Sequence, residues 1–298
     1  MVKVVFPDRA GGLSKNLIER YYITYYRYVL NIFKYVKADI KFVGDTSVAD
    51  AVFWIKVNGK KIMIDYSDYL KIDNKAYKDP NSHGYFKFHL STCHTKYNKA
   101  YSLPPISFYD WEQYYALKKE IKYTGSGTYI INRQKPYGNA RIRRAGVQAI
   151  ITKFMKAIEN DHPLKKRVFQ VGIQQQIEFW RDINKSRMAI FVPGCRNNML
   201  DRGHIQYMAF GCPTICPPII NKLPYEKQML PKVHYIECSE DYLDIIDKIK
   251  WVDSNIKECK KIGNYAKMLF EKTSTPDKVV NWILEKIGEE ERVNLTAL

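Results

Sequence analysis

Apolar residues follow two periodicities along this chain, and the two alternate. Short apolar runs at residues 2–6 and 188–192 predict strands, and the unbroken second run is typical of a parallel strand covered on both faces. Apolar positions spaced by three and four, as between residues 17 and 36, predict amphipathic helices. Strands that alternate with helices predict an α/β protein.

The first half of the chain predicts one such sheet with its helices. Asn58-Gly59 separates two strand-like runs and predicts a tight hairpin turn, so at least one strand pair should be antiparallel. Further strands are predicted at residues 40–43, 51–55 and 85–90, and a helix at residues 109–122.

The second half repeats the alternation after Gly125-Ser126-Gly127, which we interpret as an interdomain linker. Pro276 suits the first position of a final helix that reaches residue 287. The other elements are strands at residues 128–131, 168–171 and 234–238, a helix that runs to about residue 159, and helices at 173–183, 242–249 and 256–270.

The segment from residue 186 to 218 reads as strand, polar loop, helix, strand. The loop at residues 193–198 follows the first strand, Asp201 suits a helix N-cap, and Gly211 suits its C-cap. Residues 213–218 predict a second buried strand bounded by prolines. Ligands bind at the carboxyl ends of parallel strands, and a helix N-terminus offers unpaired N–H groups, so the segment predicts an anion site.

Length, net charge and cysteine content indicate which class of protein this chain belongs to. A length of 298 residues suggests two domains, and a net charge of +17 indicates an anionic partner such as nucleic acid, an acidic membrane surface or a polyanionic glycan. No apolar stretch is long enough to span a membrane, and six cysteines without a CxxC pair favour a reducing compartment. We therefore expect a soluble, cytoplasmic protein without a metal site.

Four residues of the central segment, Arg202, Gln206, Gly211 and Pro213, resemble a known motif. They are similar to the pattern R…E-x-x-x-x-G-x-P in the sugar-nucleotide segment of glycosyltransferases of the GT-B type. Gln206 stands where that family usually has a glutamate that holds the ribose or the sugar hydroxyls. Glutamine can still donate and accept hydrogen bonds, but it cannot carry charge.

The resemblance implies two Rossmann-like domains facing a cleft. The acceptor-side domain would be residues 1–122 and the nucleotide-sugar donor domain 123–275, with residues 276–298 packing back towards the first domain. The donor is a substrate, so no cofactor is expected. The residues expected to bind the donor are Arg141, Arg144, Gly194, Arg196, Asn197, Asn198, Arg202 and Gln206.

Inversion at the sugar would require a base, which the family keeps in its N-terminal half. The candidates are Asp8, Asp65, Asp68 and His89. Asp65 and Asp68 form DxxD rather than the metal-binding DxD of the other large glycosyltransferase architecture. Because arginines can neutralise the diphosphate, we expect a metal-independent reaction.

The acceptor stays open between a surface glycan or lipid-linked sugar and a hydroxylated base in DNA. The last is the acceptor of phage-type glucosyltransferases, and it would make the protein viral or phage-like. The alternative from another class is a non-catalytic nucleic-acid-binding α/β protein that retains the fold. Gln206 favours that alternative, whereas Arg202 with the asparagine loop opposes it. The sequence does not indicate the sugar, the nucleotide, retention or inversion, or the oligomeric state.

Overall fold

A computed structural model describes most of the chain and divides it into two compact units. The N-terminal unit comprises Met1–Tyr114, Leu223–Tyr225 and Thr273–Leu298, and the C-terminal unit comprises Tyr115–Lys222 and Glu226–Lys272. The residues described are 1–8, 17–44, 52–67, 71–90, 96–103, 108, 110–120, 123, 127, 129–132, 160, 163, 168–170, 176–191, 200, 202–219 and 229–295, with only the backbone at 17–24, 129, 131–132, 168–170, 176 and 202.

A mixed six-stranded sheet forms the centre of the N-terminal unit, in the order β2-β1-β3-β4-β5-β6. Strand β3 runs antiparallel to both of its neighbours, and the other neighbouring pairs are parallel. The strands are β1 (Lys3–Asp8), β2 (Asp39–Gly44), β3 (Val52–Val57), β4 (Lys60–Asp65), β5 (Ser82–Lys87) and β6 (Ala100–Ser102).

The predicted hairpin turn is confirmed. Val57 pairs with Lys60, and the two turn residues have positive φ, 49° at Asn58 and 84° at Gly59. Positive φ at both central positions is the signature of the turn that matches the twist of antiparallel strands. The turn makes β4 parallel to β1, so the carboxyl ends of β1, β4, β5 and β6 lie at one edge of the sheet.

Three helices come from the first part of the chain: α1 (Leu17–Tyr35), α2 (Asn74–Tyr77) and α3 (Trp111–Glu120). Helix α1 covers the sheet with aromatic residues, since Phe6 of β1 contacts Tyr26 and Phe33 edge to face, with ring centroids 5.6 and 5.9 Å apart. All three rings are buried. The described tyrosines in the middle of this helix, Tyr25, Tyr26 and Tyr28, are therefore packed residues.

The C-terminal unit has a wholly parallel five-stranded sheet in the order β11-β10-β9-β7-β8. The chain places β8 on one side of β7 and then returns to add β9 on the other side. This order of 2-1-3-4-5 is a doubly wound arrangement with its switch point between the first and third strands. The strands are β7 (Tyr129–Asn132), β8 (Val168–Gln170), β9 (Ser186–Ile190), β10 (Thr214–Cys216) and β11 (Ile236–Glu237).

Among the described residues, four helices accompany this sheet: α4 (Gln176–Lys185), α5 (Arg202–Phe210), α6 (Ile245–Ser254) and α7 (Ile256–Thr273). Apolar residues of the strands and of α6 and α7 share one buried cluster, which includes Met188, Ile215, Ile249 and Ile262. The two units confirm the predicted α/β fold class with a Rossmann-like sheet order in the C-terminal unit.

The last helix, α8 (Pro276–Lys286), belongs to the N-terminal unit and packs against α1. Pro276 occupies its first turn, as the sequence predicts. The Trp282 indole donates to the Ser102 carbonyl at the end of β6, at 2.8 Å. Within the described parts of the chain, no helix is both long and apolar enough to span a membrane.

Candidate functional site

The switch point of the C-terminal sheet lies between the ends of β7 and β9. Ile131 of β7 is in register with Ala189 of β9, so the carboxyl ends of these two strands lie side by side. Six predicted donor-binding residues follow the two strands in sequence. Arg141 and Arg144 come after β7, and Gly194, Arg196, Asn197 and Asn198 come after β9; all six lie outside the described residues, as does the side chain of Arg202.

Helix α5 begins at Arg202, twelve residues after Ile190 at the end of β9, and ends at Phe210, next to the predicted glycine cap. Gly211 has φ of 73°, in the left-handed region that suits glycine, and the Cys212 N–H donates to the Tyr207 carbonyl at 3.0 Å. The N-terminus of α5 presents backbone N–H groups and the positive end of the helix dipole, which suit an anionic ligand.

Gln206 is buried on α5, and its orientation is set by a tryptophan of α4. The Trp180 indole donates to Gln206 Oε1 at 2.9 Å, and both side chains are at most 1% exposed. This bond makes Oε1 the acceptor end of the amide and leaves Nε2 as its donor end. Sequence reasoning missed Trp180, because on α4 it falls in the ordinary apolar pattern.

His204 is a second residue that sequence reasoning missed. It lies in the first turn of α5, is fully buried, and stacks at a tilt on Phe191, with ring centroids 4.7 Å apart. Neither ring nitrogen has a hydrogen-bond partner among the described residues. Burial lowers the pKa of His204 to about 3, so the ring is neutral at neutral pH.

Three of the predicted catalytic residues lie at one edge of the N-terminal sheet. Asp8 is the exposed last residue of β1, Asp65 is the buried last residue of β4, and His89 follows β5 by two residues. His89 is buried and stacks on Phe88 at a centroid distance of 4.5 Å. The fourth candidate, Asp68, lies outside the described residues.

Asp65 is the centre of a buried polar network. Lys87 Nζ donates to Asp65 Oδ2 at 2.7 Å and to Ser67 Oγ at 2.9 Å, and the Ser67 N–H donates to Asp65 Oδ1 at 2.7 Å. The Tyr85 hydroxyl also donates to Oδ2. The side chains of Asp65 and Lys87 are both 0% exposed, so a buried lysine neutralises the buried carboxylate directly.

Tyr85 connects this network to the next helix. Its hydroxyl accepts from the Asp73 N–H at 3.1 Å, and Asp73 caps α2 through a bond from the Ala76 N–H at 2.9 Å. Burial, and then the charge of Asp65, raise the pKa of Tyr85 far above its ordinary value, so the phenol stays protonated and donates. Ser67 thus bonds to Asp65 directly, and Asp73 is linked to Asp65 through the Tyr85 hydroxyl.

The described cysteines are reduced and buried. They do not offer thiolates, because burial raises the pKa of Cys238 and of Cys259 to about 12 and raises the pKa of Cys216 well above its ordinary value. Buried thiols of this kind are inert core residues. The four thiols are Cys212, Cys216, Cys238 and Cys259.

The C-terminal sheet is doubly wound, and the solved structures to which this chain is similar include glycosyltransferases. A glycosyltransferase from Rickettsia africae ESF-5 is 12% identical, over 96% of this chain and 98% of that chain, with a TM-score of 0.49. The C-terminal domain of LpcC, a group 1 family glycosyl transferase from Francisella tularensis, is 14% identical over 57% of this chain and 95% of that domain, with a TM-score of 0.36.

A third similar structure is Anabaena HepE in complex with UDP, at 10% identity and a TM-score of 0.46, over 70% of this chain and 64% of HepE. No protein-family model and no curated protein sequence matches the chain. These identities and TM-scores are low, so the similarity does not by itself show a family or a function for this chain.

Proposed function

We propose that the protein is a glycosyltransferase that moves a sugar from a nucleotide-diphosphate donor to a hydroxyl acceptor. The observation that carries the proposal is the order of the C-terminal sheet, which brings the ends of β7 and β9 together at the switch point. The residues that follow these two strands are rich in arginine and asparagine. Guanidinium groups fork onto phosphate oxygens, and amide groups bond sugar hydroxyls.

In this reaction the bond from the anomeric carbon to the diphosphate breaks, and the nucleoside diphosphate leaves with the electron pair. Arg202 and the arginines after β7 and β9 would neutralise the charge that develops on the leaving phosphate, together with the N-terminus of α5. The acceptor oxygen bonds to the same carbon, and its proton passes to a base.

Gln206 would hold the donor through hydrogen bonds rather than through charge. Since Trp180 already donates to Oε1, the Nε2 hydrogens are the part of the amide that can bond a hydroxyl of the ribose or the sugar. The same indole N–H would serve a glutamate equally well, so Trp180 supports the amide without requiring it. Gln206 therefore keeps a binding role in the proposed site.

Asp8 is our choice of base among the candidates of the N-terminal half. A base must reach the acceptor proton, and Asp8 is exposed at the carboxyl end of its strand. The Asp65 carboxylate accepts three hydrogen bonds, one of them from the buried Lys87, so it is better suited to holding the sheet edge.

The acceptor remains a choice between a glycan or lipid-linked sugar and a hydroxylated base in DNA. The net charge of +17 supports an anionic acceptor or an acceptor held at an anionic surface.

Nucleotide binding tests the proposal. Replacing Arg202 with alanine should weaken the binding of uridine, guanosine or thymidine diphosphate by about 1.5–3 kcal/mol, because it removes a charge-assisted phosphate contact. Isothermal titration calorimetry measures the effect, with Arg181→Ala as the matched control, since Arg181 is an exposed arginine of α4 in the same unit. Equal affinity of the wild type and Arg202→Ala for every nucleotide tested would reject the site, and slow hydrolysis of nucleotide sugars by the wild type would support transfer.

A further inference from the structure

The exposed face of helix α7 carries apolar side chains as well as charged ones. Its inner face is buried and includes Ile262, Ala266 and Phe270. Its outer face is exposed and combines lysines with two apolar side chains, since Tyr265 is 47% and Met268 is 55% exposed. The exposed face therefore combines positive charge with apolar surface at two positions.

The exposed residues form one continuous stripe along the helix. In an α-helix, positions four, eight, eleven and fifteen residues after a given residue lie on the same side as that residue. Counted from Lys257, these positions are occupied by Lys261, Tyr265, Met268 and Lys272. The two apolar side chains thus lie between lysines at both ends of the stripe. We call this set, Lys257, Lys261, Tyr265, Met268 and Lys272, the α7 stripe.

The charge of α7 is strongly positive. The helix contains five lysines, two glutamates and no arginine. Glu258 pairs with Lys261 at 3.3 Å where both are at least half exposed, so water screens the pair, and Glu271 pairs with Lys118 of α3 at 2.6 Å. The positive charge of the α7 stripe therefore remains available to an anionic partner.

We propose that the α7 stripe docks the protein on an anionic lipid surface. Such a surface attracts the lysines electrostatically, and their long stems let the ammonium groups reach the headgroups while apolar neighbours enter the interface. Tyrosine is enriched at membrane–water interfaces because its ring is apolar and its hydroxyl is polar, and methionine buries apolar surface there. A nucleic acid would use the lysines but gain nothing from Met268, which has no donor and no charge.

Vesicle co-sedimentation tests the docking surface without any assay of glycosyl transfer. The wild type should bind vesicles of phosphatidylcholine with about one third phosphatidylglycerol, and bind pure phosphatidylcholine vesicles far less. The triple variant Lys257→Gln, Lys261→Gln, Lys272→Gln should lose about fivefold in affinity per lysine, or about a hundredfold in all. The variant Tyr265→Ser, Met268→Ser keeps every charge and should also bind more weakly.

A control with the same net charge separates the α7 stripe from general attraction. Lys71, Lys75 and Lys78 are exposed lysines of the N-terminal unit, and their triple change to glutamine should leave vesicle binding near that of the wild type. Equal losses in the two triple variants, or no binding of the wild type to the anionic vesicles, would overturn the proposal. Retention of duplex DNA that depends on the same three α7 lysines, without vesicle binding, would overturn it in favour of nucleic acid.

Discussion

At the scale of single residues, buried polar groups carry most of the information about this protein. A lysine and an aspartate that are both fully inaccessible are rare, and here Lys87 and Asp65 neutralise each other at the end of two neighbouring parallel strands. Removing one partner of such a pair leaves an uncompensated charge, so the pair fixes the sheet edge where it lies. Trp180 and Gln206 provide the corresponding anchor in the C-terminal unit.

His204 should make the stability of the protein sensitive to acid. Its folded pKa of about 3 lies below the ordinary value of 6.5, so the unfolded chain takes up a proton first as the pH falls. The contribution of neutral His204 is complete above pH 6.5, and it should fall by up to about 1.4 kcal/mol per pH unit between 6.5 and 3. The free energy of unfolding, measured in urea at pH 7.5, 6 and 5, checks the slope.

His204→Leu should flatten that slope, because leucine has no proton to take up. Replacing the exposed His83 with glutamine is the matched control and should leave the slope near that of the wild type. If His204→Leu and the wild type lose stability in parallel from pH 7.5 to 5, burial of a neutral His204 is refuted.

At the scale of elements, the close packing of α7 against the end of α5 depends on two glycines. A Cβ added at Gly263 would lie 2.1 Å from the carbonyl oxygen of Gly211 and 3.2 Å from the nitrogen of Pro213. Gly211 itself has positive φ, so neither position suits a larger residue. The C-terminal end of α5 is thus fixed by its contact with α7.

Gly263→Ala should destabilise the C-terminal unit by about 1–3 kcal/mol, because the methyl group forces the backbones of α5 and α7 apart. Thermal and urea unfolding of the variant measure the cost. The adjacent exposed residue supplies the control, since Asn264→Ala on the same helix should change stability by less than about 0.5 kcal/mol. Similar stabilities for the two variants would show that α7 can move away without cost.

Two segments of the chain differ in the structure from what their sequence patterns predict. The segment predicted as a strand at residues 85–90 is buried throughout, but β5 ends at Lys87 and the segment continues into a turn. Gly127, expected in a linker, is packed in the C-terminal unit, where a Cβ would lie 2.1 Å from the Lys185 carbonyl oxygen. Apolar and glycine patterns report burial and close approach, and hydrogen-bonded pairing decides which residues become strand.

At the scale of the whole molecule, the excess of basic residues bears on how the charge of the diphosphate is neutralised in the proposed transfer reaction. Arginines can neutralise a diphosphate in place of a divalent ion, and Lys87 already occupies the carboxylate of Asp65 that could have served as a ligand. We therefore expect turnover of a nucleotide sugar to persist in excess EDTA, measured as release of nucleoside diphosphate.

The matched reaction adds manganese back after chelation. If turnover is lost in EDTA and returns with manganese, the metal-free mechanism is rejected. Asp68 and Asp65 would then again be candidate metal ligands. A rate that is the same in both conditions would support diphosphate binding by arginines and by the N-terminus of α5.

The sequence by itself determined the local structure of this protein. The alternation of strands and helices, the hairpin turn at Asn58-Gly59, the cap at Gly211 and the start of α8 at Pro276 all follow from interactions between residues close in the chain. Their periods and turn preferences act over a few residues, so they can be read directly. Candidate residues after strands were also visible, because Asp8 and Asp65 end apolar runs.

Only the tertiary structure decided what those elements bring together. The order β11-β10-β9-β7-β8, the Asp65–Lys87 pair, the Trp180–Gln206 bond and the burial of His204 all depend on residues far apart in sequence or on the packing around them. No local pattern marks Lys87 as an inaccessible lysine or His204 as a neutral histidine. Burial and partner choice are set when distant segments pack, and that is the physical reason why the sequence predicted the elements but not these contacts.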